Sequence, residues 1–160
     1  MKSILIAAAV TALSLSLPAY AHDDAEHGSG ASKAAHASAV GQPGKAADVS
    51  RTIEVDMTDA MRFNPADIDV KRGETVKFIV KNSGKLTHEI VLGSIKELKE
   101  HAEMMRKMPQ MAHVDENMVS LAPGKTGEMI WHFTQAGKFD FACLQPGHFE
   151  AGMKGKVAVK

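Results

Sequence analysis

The chain has one cysteine, Cys143; His148 follows five positions later and Met153 five beyond that. All three lie in the stretch Phe139 to Met153, Phe-Asp-Phe-Ala-Cys-Leu-Gln-Pro-Gly-His-Phe-Glu-Ala-Gly-Met. Thiolate, imidazole and thioether are the donors that soft or borderline metals such as copper prefer. Pro146-Gly147 and Gly152 give the backbone freedom to curl these side chains inward. One loop offers three ligands, so a fourth has to come from elsewhere, on an element that a scaffold brings alongside.

Length and charge bound the scaffold. The 160 residues amount to one domain, and nineteen basic residues balance nineteen acidic ones, which argues against a nucleic-acid partner. Lys2, the apolar run Ile4 to Leu17 and the small-x-small site Ala19-Tyr20-Ala21 read as a secretory signal, residues 1–21, cut after Ala21. The run is too short for a membrane span, so none is expected after cleavage. The expected location is the periplasm, an oxidising space where a lone cysteine has no intrachain disulfide partner. An unpaired thiol there is a liability unless it is buried, reactive or bound to a metal.

From His22 to residue 49 the sequence is Ala, Gly, Ser and charge, with almost no large apolar residue, and is expected to be a flexible tail. The folded domain is then 50–160. Strand signals dominate it. Ile53, Val55 and Met57 alternate with polar residues, as do Val76, Phe78 and Val80, and later Met129, Trp131 and Phe133. Leu86, His88, Ile90 and Leu92 share one strand face, and Phe139, Phe141 and Cys143 another. Short strands parted by turn signals predict an all-β, antiparallel sandwich. One segment differs. Ser94 and Glu97 form a capping box, Ile95, Leu98, Ala102 and Met105 make an apolar stripe, and Pro109 ends the helix, which is expected to lie as a flap on one side.

His88 and Cys143 both fall on faces that a sandwich turns inward, each near a strand end. If those ends share a rim, His88 is the missing ligand. Two imidazoles, a thiolate and an axial thioether are the ligand set of a blue-copper electron-transfer site.

These residues carry a resemblance. Met61-Arg62-Phe63-Asn64-Pro65, Gly73-Glu74-Thr75-Val76, Thr87-His88-Glu89, Gly137 to Cys143, and the loop through Pro146-Gly147-His148 to Gly152-Met153 resemble the cupredoxins. More narrowly, the chain is similar to the small periplasmic cupredoxins of bacterial copper tolerance. The resemblance implies a Greek-key β-sandwich with one inserted helix. It implies His88, Cys143 and His148 as strong equatorial ligands of one type 1 copper, and Met153 as the weak axial one. Many cupredoxins carry Asn after the first histidine, where it ties the ligand loops together; here the position is Glu89. Phe149, Leu144 and Pro146 are expected to form an apolar rim around His148, suited to docking a redox partner.

Further soft donors are present. His101, Met104, Met108, Met111, His113 and Met118 cluster in or after the helix, and His101, Met104 and Met108 share a stripe. They suit a second, cuprous site, although Met at helical spacing is more often packing. In the tail, cleavage after Ala21 would leave His22 with a free amine able to chelate copper beside its imidazole, with His27 and His36 assisting; sparse linker histidines are ordinarily just solvated.

The expected function is a monomeric, non-enzymatic copper protein that binds copper or hands it on in copper tolerance, with a periplasmic redox or copper-transfer partner. The alternative is a soluble one-electron carrier between respiratory or oxidase partners. One cysteine and no His-x-His argue against a multicopper oxidase.

Overall fold

The computed structural model describes residues 38–107 and 115–160. All the described residues lie in one compact unit. Its strands are β1 (Gln42–Pro43), β2 (Arg51–Thr58), β3 (Arg62–Asn64), β4 (Asp67–Val70), β5 (Thr75–Asn82) and β6 (His88–Gly93). Helix α1 (Ile95–Lys107) follows, then β7 (Met118–Leu121), β8 (Thr126–His132), β9 (Gly137–Ala142) and β10 (Lys154–Val159). They form two five-stranded sheets, ordered β1-β8-β5-β2-β3 and β4-β10-β9-β6-β7.

Alternation in the sequence becomes alternation in burial. Val76, Phe78 and Val80 of β5 are buried while Lys81 is exposed; Val157 and Val159 of β10 are buried while Lys154 and Lys156 face water. The inner faces meet in a core where Trp131, Phe78, Phe133, Phe141 and Met57 are fully buried. Phe63 packs edge-on to Phe141 with centroids 5.0 Å apart, and Phe78 does the same with Phe133 at 6.3 Å. Such pairs contribute roughly 0.5–1.5 kcal/mol each beyond their buried area.

β6 is buried along its whole length, on both faces. Ile90 and Leu92 enter the main core; Val91 faces the other way and joins Leu98 of α1, Ala142 and Leu144 in a second, smaller core. The helix therefore covers the outer face of β6. Its start follows the expected capping box: the Ser94 N–H donates to Glu97 Oε2 at 2.6 Å, and the Glu97 N–H to Ser94 Oγ at 3.3 Å.

The expectations need four corrections. The sheets are mixed, since β2 pairs parallel with β5 and β4 with β10. Neither pair is consecutive in the chain, so each connection crosses between the sheets, which permits parallel pairing. The ordered region begins before residue 50: Val40 is 0% exposed in the main core, and β1 pairs with β8. A single apolar residue was too weak a signal for an ordered segment in an Ala/Gly/Ser stretch. Leu86 is not inward but 47% exposed, because β6 starts only at His88 and the preceding turn swings Leu86 out. Of the helical stripe, Leu98 is buried and Ala102 packs on the small core, whereas Ile95, in the first turn, is 43% exposed.

Candidate metal centre

His88 is delivered by the turn between β5 and β6. Asn82, fully buried at the end of β5, shapes it: Nδ2 donates to the carbonyls of Leu86 at 2.8 Å and Leu121 at 2.9 Å, and Oδ1 accepts the Gly84 N–H at 2.9 Å. The His88 ring is wholly buried, with Nε2 3.0 Å from Asp59 Oδ1 and Nδ1 3.2 Å from His148 Nδ1. Asp59 follows β2 and also accepts the N–H groups of Lys85 at 2.8 Å and Leu86 at 3.2 Å. The Lys85 N–H, followed by His88, holds the Asp59 carboxyl below its ordinary pKa.

Cys143 sits one residue past β9, fully buried, with Sγ 3.2 Å from His148 Nδ1 and receiving the Glu89 N–H at 3.5 Å. One donor atom from each of His88, Cys143 and His148 lies within 4.8 Å of the others. Among the described residues this is the one group of three or more His, Cys, Asp or Glu donors so placed. The loop that carries Cys143 and His148 closes on itself. The His148 N–H donates to Gln145 O at 3.0 Å, the Met153 N–H to His148 O at 3.0 Å, and the Cys143 N–H to Met153 O at 3.1 Å. Gly152 makes the last bend at φ 93°, a conformation costly for residues with a Cβ. Met153 is fully buried, in the same core as Cys143.

Three ties from outside hold the loop. Glu89, buried on β6, accepts the Leu144 N–H at 3.2 Å on Oε1 and Gln145 Nε2 at 2.9 Å on Oε2. Arg62 of β3 donates from Nη1 to Ala151 O at 3.2 Å. Leu144 and Phe149 pack into the small core with Leu98, Ala102 and Met118. This last tie overturns the expected docking rim. Leu144 is 4% exposed beneath α1, Phe149 is half-buried with Lys154 Nζ 4.7 Å above its ring, and of the three only Pro146 is exposed. The helix uses that apolar surface internally.

Burial pushes the Cys143 thiol up to about 11, with the charge of Glu89 adding to it against the N–H groups of Glu89 and Gln145. Burial, then His88, pushes the His148 imidazole down. The protein alone therefore keeps the thiol protonated and this imidazole neutral at neutral pH. A buried thiol and two imidazoles converging on one point fit a soft or borderline cation, which binds thiolate and would displace that proton. Copper is well matched to such a donor set.

Asp59, Arg62 and the tying role of Glu89 were not found by reading the sequence. Asp59-Ala60 reads as an ordinary turn, and its proximity to His88 comes only from the parallel pairing of β2 with β5. Of the further soft donors, His101 Nδ1 lies 3.9 Å from Asp115 Oδ2, Met104 is half-buried on α1, and Met118 lies in β7 against the small core. Met108, Met111 and His113, and the tail residues His22, His27 and His36, lie outside the described residues.

The copper-binding proteins of the plastocyanin/azurin family match this chain over residues 49–160, and the chain belongs to that family. Within it, the chain is 48% identical to the copper-resistant cuproprotein CopI of Rubrivivax gelatinosus across the whole of both chains. It is 40% identical to the protein of the same name from Pseudomonas aeruginosa, over 79% of this chain and 85% of that one. The fold is similar to that of auracyanin from Roseiflexus castenholzii, with a TM-score of 0.60 and 22% identity over 70% of this chain and 98% of the other.

Proposed function

We propose that the protein is an exported type 1 copper protein of copper tolerance, binding copper in the periplasm or handing it on. The observation that carries this reading is the meeting of His88, Cys143 and His148, with His148 Nδ1 3.2 Å from both His88 Nδ1 and Cys143 Sγ. Support for the tolerance role comes from full-length similarity to a copper-resistant cuproprotein. In this reading His88, Cys143 and His148 would hold the copper strongly and Met153 weakly. Bound there, copper supplies one-electron cycling between Cu(I) and Cu(II). The chain's part is to hold the donors: Asp59 and Asn82 fix His88, while Glu89, Arg62 and the small core fix the loop. Residues 1–21 act as the export signal.

Copper titration followed by visible spectroscopy tests the site. An intense thiolate charge-transfer band is expected and should vanish in Cys143→Ser; a variant that keeps it removes the thiolate from the centre. For the role, a deletion strain should lose copper tolerance while respiring normally. The second reading, a soluble one-electron carrier between respiratory or oxidase partners, is favoured by the half-buried His148 beside exposed Pro146, a short route for an electron to the surface. It predicts the opposite phenotype.

A further inference from the structure

Asp59 has no part in the ligand set, yet its carboxylate touches a ligand. Oδ1 lies 3.0 Å from His88 Nε2. The same carboxylate accepts two backbone N–H groups, from Lys85 and Leu86, so it is pinned at both oxygens to the turn that delivers His88. Room for it is built into that turn. A Cβ on Gly84 would collide with Asp59 Oδ1 and come within 3.1 Å of His88 Nε2. A side chain at position 84 would push the carboxylate off the ring.

The geometry points to Asp59 as a positioning residue that sets which nitrogen of His88 faces the metal and how strongly it donates. The inference rests on the copper reading above. A carboxylate only accepts, so the contact places a proton on Nε2 and leaves Nδ1, the atom that faces His148, to donate to a metal. Partial pull on the Nε2 proton makes Nδ1 more basic, as carboxylates do for other metal-bound histidines. The stronger donor favours Cu(II) over Cu(I).

Two measurements test it. Nitrogen-resolved NMR of the metal-free full chain should find the His88 proton on Nε2; a proton on Nδ1 overturns the inference, whether or not copper binds. In the copper-loaded protein, Asp59→Asn and Gly84→Ala should each lose about tenfold of the preference for Cu(II), a potential higher by about 59 mV for a one-electron couple. Gly84→Ala displaces the carboxylate while keeping its charge, so it separates contact from charge. Loaded variants that keep the native potential overturn the inference, because a carboxylate that only shapes the turn would leave it unmoved. A wild-type chain that takes up no copper defeats the copper reading instead, and the NMR result still decides the role of Asp59.

Discussion

Glu89 and Gln145 are joined, between the strand that carries His88 and the loop that carries Cys143 and His148, by a hydrogen bond of 2.9 Å from Nε2 to Oε2. The other carboxylate oxygen takes the Leu144 N–H, the residue directly after Cys143. Glu89 thus does the tying that the resemblance assigns to Asn in many relatives, through a longer and acidic side chain. Glu89→Ala leaves a buried N–H and a side-chain amide without acceptors. The variant should bind copper about tenfold more weakly, read by competition with a chelator of known affinity, while the unloaded protein keeps its fold by circular dichroism.

The helix reaches the centre through Leu98. This side chain fills the small core shared by Leu144 and Phe149 of the ligand loop. Leu98→Ala should cost about 2–5 kcal/mol of stability in denaturant titration. If the helix props the loop, the loaded variant will also show a broadened charge-transfer band. A sharp native band on a destabilised protein would show that loop geometry is independent of the helix.

Met153 supplies the test of the axial assignment. Met153→Leu preserves the volume of a fully buried side chain but removes the sulfur. The charge-transfer band should persist, since the thiolate remains, while the potential rises on loss of a weak donor to Cu(II). An unchanged potential would assign Met153 to packing alone.

Acid should loosen the N-terminal segment before the rest. Burial alone would raise the Glu97 pKa, but N–H and hydroxyl donors from Ser94, Ala39 and Ser38 outweigh it and bring it below the ordinary value of 4.5. A lowered folded-state pKa gives stabilisation that is complete above the unfolded value and lost as pH falls through the folded one. Stability should therefore drop below about pH 4.5 by an amount comparable to a lost helix cap, about 1 kcal/mol. Hydrogen exchange at Val40 and Gly41 should rise in the same window, and Glu97→Gln should flatten the dependence.

The four proposed ligands were legible because three share one loop of unusual composition and the fourth lies on a strand with clear alternation. The strands that frame them were legible from their pattern: β5, β8 and β10 alternate in the sequence and in burial. What escaped were contacts made by pairing rather than pattern. Nothing local announces that Asp59 meets His88, since that follows from the parallel register of β2 on β5, Met57 opposite Asn82. Leu144 looked like surface because a ligand loop is usually exposed; a helix inserted far away in sequence buries it. Val40 entered the core from a stretch whose composition signalled disorder.

β10 has a consequence for the order of assembly. It is an interior strand, paired with β4 on one side and β9 on the other. A chain whose synthesis has not passed residue 159 has a gap in its second sheet, and Met153 lacks the strand that follows it. His88 and His148 meet across sixty positions of sequence, a long closure that local structure cannot nucleate. The donors therefore converge late in folding, and metal capture by the assembled set follows completion of the sandwich. A nascent chain has no finished cage with which to take copper.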